Sequence, residues 1–369
     1  MKILHIAAFD GNVGDNASHL GFERILAMLL NNYHVDRIEI RKAYKNYTEN
    51  DKLRFDDSFA NLANSYDLVV FGGGGFLDYW VEGSSNGTTI DIGIDVLEKI
   101  NTKILITSVG SNPHRKVPKE NYNKFRTFLD YVRKSDRIKI ALRNDGSIES
   151  IKRDIGTDYV SFLEEILDHG YFYKPEKLYT LPIEGKYVAI NITDDQLSMQ
   201  GGLTDERDWY YQELETVLTW LGNNQYKAVL IPHIHQDVEA IGNLMSRLPS
   251  SLIRNHTVVA PCIQSDEGAD LIFSLYKNAH FTIASRYHAN VCSLKFGTPT
   301  IGLSPLERIE YTHNQLTSSK TNVPIFKGFS QKIINLIESY DFDSMKVKDN
   351  LESLKLKTIN FYKLYFQSV

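Results

Sequence analysis

Four consecutive residues, Ser285-Arg286-Tyr287-His288, place hydroxyls, a guanidinium and an imidazole just after an apolar run, Phe281–Ala284. A helical pattern carrying Ala289, Val291, Leu294 and Phe296 follows them. Serine is a good helix N-cap, so the spacing predicts a helix capped by Ser285 with Arg286 and His288 in its first turn. Open helix amides, the helix dipole and a guanidinium would then converge, which is the chemistry of an anion site. The dipole also favours a neutral imidazole, able to carry a proton near neutral pH. A lone histidine is more often structural; one joined to an arginine at a strand-to-helix edge reads better as functional. A second arginine, Arg143, follows the run Ile138–Leu142 and precedes Asn144-Asp145-Gly146-Ser147. It is either a surface residue or a second clamp on a phosphate or carboxylate, groups that a planar guanidinium grips with two N–H bonds.

Two glycine loops are further candidates. Phe9-Asp10-Gly11-Asn12-Val13-Gly14-Asp15-Asn16 follows the first apolar run and leads into an expected helix, Asn16–Leu30, with Leu20, Ile25, Leu26, Leu29 and Leu30 on one stripe. Asn12, Gly14 and Asp15 could meet a ligand there, although Asp15 would repel a phosphate and is equally suited to cap the helix. The spacing matches neither the dinucleotide fingerprint nor a P-loop. Gly72-Gly73-Gly74-Gly75, before Phe76-Leu77-Asp78, costs backbone entropy, so it marks either ligand approach or a tight packed turn. His233-Ile234-His235 near Asp237 has the look of a metal pair, but no third ligand stands at a recognisable spacing, so no metal is expected. Cys292, one turn beyond His288, lacks an orienting third group and reads as core packing.

What must position these residues is an α/β framework. Short β-branched runs alternate with helical patterns, the signature of βαβ units and mainly parallel sheets. In the first half the expected strands are Lys2–Ala8, Asp36–Ile40, Asp67–Phe71, Lys103–Val109 and Ile138–Leu142. In the second they are Tyr187–Ile192, Lys227–Pro232, Thr257–Ala260, His280–Ala284 and Thr300–Leu303. Both glycine loops and the Ser285–His288 turn then lie at carboxyl ends of strands, where open α/β sheets bind ligands. The spacing breaks where Tyr171-Phe172-Tyr173-Lys174-Pro175 leads to Leu181-Pro182-Ile183-Glu184-Gly185. That divides the chain into two Rossmann-like domains, 1–175 and 176–330, with a cleft expected between them. A long connection, Pro305–Phe326, precedes C-terminal helices within 331–369, at Gln331–Tyr340 and Val347–Phe366, that could pack back on the first domain.

With 369 residues, 42% of them apolar and 24% charged, the chain is long enough for two cores and has the composition of a globular protein. A net charge of −5 gives no positive field for nucleic acid, so no nucleic-acid partner is expected. Two cysteines, Cys262 and Cys292, point to a reducing compartment and no disulfide framework. No apolar stretch is long enough to span a bilayer, and the N-terminal run is too short for a signal peptide. The expected location is the cytoplasm, with any membrane contact peripheral and at its inner face. The basic stretch Arg115–Lys139 reads as a solvated helix face. Oligomeric state is not legible.

Asn12-Val13-Gly14-Asp15, Gly72–Gly75, Arg143, and Ser285-Arg286-Tyr287-His288 ahead of Gly297-Thr298-Pro299 occur in an order that resembles the polysaccharide pyruvyl transferases over roughly residues 1–305. The resemblance implies a GT-B-like fold and transfer of a pyruvyl group from phosphoenolpyruvate, as co-substrate and without a cofactor, to a sugar of a cell-surface polysaccharide or its lipid-linked precursor. The product would be a pyruvate ketal bridging two hydroxyls. It makes His288 the general acid and gives the donor's phosphate and carboxylate to Arg286 and Arg143, with Ser285 and Tyr287 beside them. Asn12, Gly14, Asp15 and Gly72–Gly75 would line the acceptor or cleft loops. After Pro305 the family pattern has another basic residue near a tyrosine, where this chain has Glu310-Tyr311-Thr312-His313. The alternatives are a nucleotide-sugar glycosyltransferase of the same architecture and a non-catalytic glycan-binding paralogue.

Overall fold

Runs that are apolar on both faces can be strands only where helices cover both sides of a sheet, and parallel sheets provide that environment. A computed structural model of the chain, describing residues 1–197, 207–317, 319–339 and 342–369, contains two such sheets of six strands among those residues. The first comprises β1 (Lys2–Ala7), β2 (His34–Glu39), β3 (Leu68–Gly72), β4 (Lys103–Val109), β5 (Ile138–Arg143) and β6 (Glu164–Ile166), in the order β2-β1-β3-β4-β5-β6. The second comprises β7 (Tyr187–Asn191), β8 (Lys227–Leu230), β9 (Thr257–Val259), β10 (Phe281–Ala284), β11 (Thr300–Ser304) and β12 (Asn322–Pro324), ordered β12-β11-β10-β7-β8-β9. Every pairing is parallel. Each order reverses at one place, between β1 and β3 in the first sheet and between β7 and β10 in the second. Such switch points open a crevice at the strands' carboxyl ends.

Helices cover the sheets by burying one stripe. In Lys119–Lys134, Phe125, Phe128, Leu129 and Val132 are buried while the last turn keeps Arg133 and Lys134 against the negative helix end. Each such side chain contributes about 1.5–3 kcal/mol by leaving water. That pattern makes the basic stretch Arg115–Lys139 mostly the outer face of a core helix.

The chain divides into two compact units, one of residues 1–10, 18–172 and 354–369, the other of residues 11–17 and 173–353. The sequence-based bounds were 1–175, 176–330 and 331–369. Residues 331–369 do not stand as a segment of their own, because the helix Ser344–Gln367 serves both units. Asn350 Nδ2 donates to the Leu316 carbonyl at 3.2 Å in the second unit. Farther along, Thr358 Oγ1 accepts Leu167 N at 3.0 Å, and the Tyr362 hydroxyl meets His169 Nε2 at 2.6 Å in the first.

Several expectations are corrected. The helix after β1 starts earlier than expected, at Val13, and runs to Leu29. The stretch Pro305–Phe326 is not a plain connection: it folds as a helix, Glu307–Leu316, and the strand β12. Strands β6 and β12 have three residues each and no apolar run to announce them; as edge strands they pair on one side only, with β5 and β11. The helix expected over Gln331–Tyr340 is Phe329–Ser339, and Tyr340 lies outside the described residues. No described helix is long and apolar enough to cross a membrane.

Candidate active site

In the second unit the switch point lies between Asn191, which ends β7, and Ala284, which ends β10. Asn191 ties the two strand ends together. Its carbonyl accepts Ser285 N at 3.0 Å, its Oδ1 accepts Arg286 N at 2.8 Å, and its Nδ2 donates to the Ile231 carbonyl at 3.0 Å. Held this way, Arg286 stays extended, with ψ 140°, and the helix begins at Tyr287 and runs to Lys295. Arg286 is therefore the N-cap residue, without a side-chain cap, and the expected cap at Ser285 is displaced by one position. Ser285 is buried beneath the turn, with Tyr210 beside it.

The Arg286 guanidinium is buried and already engaged. Its Nη2 donates to Asp237 Oδ1 at 2.6 Å and to Asp195 Oδ1 at 2.9 Å, and its Nε to Asp237 Oδ1 at 3.1 Å. Asp237 also accepts His233 N at 2.9 Å. Burial works against the charge on Arg286, but the two carboxylates outweigh it and hold its pKa above the ordinary value. Burial raises the Asp237 carboxyl despite the pull of Arg286. The expected open cationic site is thus one guanidinium shared by two carboxylates. Only Asp195 keeps appreciable exposure, with 30% of its side chain accessible against none for Asp237. Asp195 is the more exposed of the two partners, and Asp237 is the buried one.

His288 is buried in the first turn of the same helix, its ring 5.1 Å from that of Tyr287. The loop Gly11–Ala17 belongs to this unit. Asn12 Oδ1 accepts Gly14 N at 2.9 Å and the Asn12 carbonyl accepts Asp15 N at 2.9 Å, so Asn12 caps the helix and Asp15 sits in its first turn; the capping role considered for Asp15 is corrected. Asn16 Nδ2 donates to Asp266 Oδ1 at 2.9 Å. A Cβ on Gly14 would lie 2.5 Å from both Cβ and Nδ1 of His288, so glycine is what lets the loop lie against the imidazole. Gly14→Ala is expected to displace His288, costing about 1–3 kcal/mol of stability from overpacking, which thermal melts check.

His233 and His313 are both held by hydrogen-bonding neighbours. His233 Nε2 lies 2.8 Å from the Tyr276 hydroxyl, and burial lowers its pKa. His313 bridges Asn290 Oδ1 (2.9 Å) and Thr321 Oγ1 (2.8 Å), and burial lowers its pKa to about 3, so it is neutral and supplies no anion contact after Pro305. Cys292 is buried in the helix core.

In the first unit the glycine run is filled by the protein's own groups. A Cβ on Gly72 would lie 2.9 Å from His5 Nε2, one on Gly74 2.6 Å from the Phe76 ring, and one on Gly75 2.8 Å from Asp78 Oδ2. Gly73, at φ +74°, faces Ser18 Oγ. Beside them, burial holds His5 neutral, its pKa well below the usual value. Arg143 is the last residue of β5 and only 2% exposed. Its Nε donates to Asp145 Oδ2 at 2.6 Å, and its Nη1 lies 3.6 Å from Asp168 Oδ2. It is neither a surface arginine nor an uncompensated cation.

Glu39, at the end of β2, accepts Phe9 N at 2.7 Å, Asp10 N at 2.8 Å and Arg41 N at 2.9 Å. In dinucleotide-binding sheets an acid near this place holds a ribose; here it is spent on the loop that follows β1.

Asn191, Asp195 and His5 escaped the sequence reading, and Asp237 entered it only as a neighbour of the histidines. A polar residue closing an apolar strand, as Asn191 does, was the available signal.

Comparison with known proteins gives the fold and the family. The chain resembles UDP-GlcNAc 2-epimerase from Methanocaldococcus jannaschii, at 12% identity, TM-score 0.56, and coverage of 97% of this chain and 99% of that one. It also resembles S. aureus MnaA solved with UDP (10%, TM-score 0.59, 100% and 97% covered) and a Rickettsia africae glycosyltransferase (14%, TM-score 0.54, 97% and 93% covered). At such identities the likeness is one of fold. No curated protein matches in sequence. A family model described as polysaccharide pyruvyl transferase matches residues 12–307, from the Asn12 cap through the Arg286–His288 turn, and the chain belongs to the polysaccharide pyruvyl transferase family of enzymes.

Proposed function

We propose that the protein transfers a pyruvyl group from phosphoenolpyruvate to a sugar of a cell-surface polysaccharide or its lipid-linked precursor, releasing phosphate and leaving a pyruvate ketal. The observation that carries this reading is the turn itself: a guanidinium oriented by Asp237, with an exchangeable counter-ion in Asp195, two residues before a histidine in the helix's first turn. A donor with both phosphate and carboxylate suits that arrangement, because one anionic group can take the place of Asp195 on the guanidinium at the positive end of a helix.

His288 acts as general acid on the enol methylene, making C2 electrophilic. A sugar hydroxyl adds at C2, phosphate departs with its bonding pair, and a second hydroxyl closes the ketal. One proton enters the methyl group and two leave the hydroxyls, so one leaves with phosphate. Histidine suits the task because its ordinary pKa lies near working pH, and Arg286 stabilises charge gathering on the donor. Ser285 and Tyr287, the neighbours of Arg286 in the chain, are assigned to the donor with it, and Arg143 is assigned an anion-binding role in the first unit. Asn12, Gly14, Asp15 and Gly72–Gly75 are assigned to the acceptor or cleft loops. A lipid-linked acceptor would bring the protein to the inner face of the membrane.

The test is phosphate release from phosphoenolpyruvate in the presence of sugars offering 1,2- and 1,3-diols, with mass spectrometry of the sugar. The expected product is heavier by one ketal-bound pyruvate. Thermal stabilisation by UDP and not by phosphoenolpyruvate would replace this reading with nucleotide-sugar transfer.

A further inference from the structure

The helix Ser344–Gln367 ends on the first unit, to which residues 354–369 belong. Two contacts fix its rotation there: Thr358 Oγ1 accepts Leu167 N at 3.0 Å, and the Tyr362 hydroxyl lies 2.6 Å from His169 Nε2. Phe22, Ile25 and Leu26 close the apolar contact around Tyr362. With Thr358 and Tyr362 inward, a helix of 3.6 residues per turn presents Leu356, Asn360, Leu364 and Gln367 outward, with Lys357 and Lys363 on the two borders of that strip. All six are exposed, the leucines to 64% and 70%.

Single exposed leucines are ordinary on a protein surface. These two share one face of one helix, and the charge around them has one sign. Residues 353–369 hold Lys355, Lys357 and Lys363 and neither aspartate nor glutamate, in a chain whose net charge is −5. Lys103, at the start of β4, donates from Nζ to the Ser368 carbonyl and sets a fourth positive charge at the helix's end. The half-buried Glu165 of β6 feels the charge of Lys357, but burial raises the pKa of its carboxyl.

Such a face fits one occupant best. A second copy packed on it about a twofold axis would bring lysine against lysine, which repels. A nucleic acid would take the lysines and leave the leucines in water. Anionic lipids satisfy both, since headgroups pair with the ammonium groups while leucine side chains enter the acyl boundary and the lysine stems lie along it. We propose that the outer face of residues 354–367 is a peripheral membrane-binding surface, with Leu356 and Leu364 entering an anionic bilayer and Lys357 and Lys363 pairing with its headgroups. Neither signal suffices alone: two leucines bury little area, and a few lysines are screened by salt, whereas the two together give reversible attachment. A lipid-linked acceptor would bring the protein to a membrane through its substrate; this surface brings it there with no substrate bound.

The experiment is cosedimentation of the full chain, with neither phosphoenolpyruvate nor sugar present, on vesicles of equal parts phosphatidylglycerol and phosphatidylcholine and on vesicles of phosphatidylcholine alone. Binding is expected to the first at low ionic strength, weakening as salt is raised, with little binding to the second. Leu356→Gln with Leu364→Gln should weaken it about 10-fold or more, and Lys357→Gln with Lys363→Gln about 10-fold on the anionic vesicles. All four side chains are exposed, so the melting of both variants should match the unaltered protein. Should the leucine pair lower it, the charge reversal Lys363→Glu on the same face gives the same reading. Absence of binding to anionic vesicles at low salt overturns the inference. So does binding that both pairs of substitutions leave unchanged, which puts the contact elsewhere, and so does a dimer that ignores vesicles and that Leu364→Gln dissociates, which makes the face a subunit contact. Phosphate release has no part in the readout, so the pyruvyl-transfer reading and this one stand or fall separately.

Discussion

Replacing His288 with glutamine is expected to lower phosphate release from phosphoenolpyruvate by about 10²–10⁴-fold, the usual worth of a positioned proton donor. Glutamine is close to histidine in size and keeps polar atoms in the first turn, so the cover over Gly14 and the contact with Tyr287 change little. What it removes is the capacity to hand a proton to carbon. Steady-state kinetics should therefore show the loss in kcat, while thermal stabilisation by phosphoenolpyruvate persists, because the guanidinium and the helix amides are untouched. A variant turning over within a few-fold of wild type would remove His288 from the chemistry. One that fails to bind the donor at all would mark it as a binding group instead.

The second large effect concerns Arg286 and is expected in stability as well as activity. Arg286→Met leaves Asp237 buried with its counter-ion gone, and breaking a buried pair from one side costs about 3–5 kcal/mol. In a unit of this size that is a fall in melting midpoint on the order of 10 °C. The pH dependence has a definite sign. Burial already raises the pKa of Asp237 in the folded protein, and loss of Arg286 raises it further. A carboxyl with a raised folded pKa binds its proton more readily in the native state, so stability falls as pH rises from the ordinary carboxylate range through the raised value. The deficit of Arg286→Met should thus be largest at neutral to alkaline pH and shrink on acidification. Melting across that range checks it, and a deficit independent of pH would mean that Asp237 had found another partner. Arg286→Lys separates the two roles: it keeps the charge beside Asp237, so most of the stability should survive, but it loses the fork that also serves Asp195 and the donor.

Much of the framework was legible because it depends on neighbours in sequence. Lys103–Val109 reads as a strand from its composition alone, and the amphipathic stripe of Lys119–Lys134 declares which face is buried. The three-residue strands Glu164–Ile166 and Asn322–Pro324 were not legible, since a sheet edge created elsewhere makes them strands. The cap at Ser285 was misread for a related reason. Local preference favours serine there, but Asn191, far away in the chain, takes the amides of both Ser285 and Arg286 and moves the helix start to Tyr287.

The candidate site divides along the same line. By itself the sequence determined that an arginine and a histidine stand two residues apart where a strand passes into a helix, and it placed glycine loops at other strand ends. Strand and helix patterns repeat within a few residues, so they can be read directly. Only the tertiary structure decided the electrostatic state of those groups. Arg286 meets Asp237 and Asp195 from 49 and 91 positions away, which turns an apparent open cation into a compensated one. Arg143 is enclosed by Asp145 and Asp168, and the glycine run is occupied by His5, Phe76 and Asp78. Charge pairing and desolvation follow distance in space, and the fold rather than the local pattern sets which distant carboxylates come near.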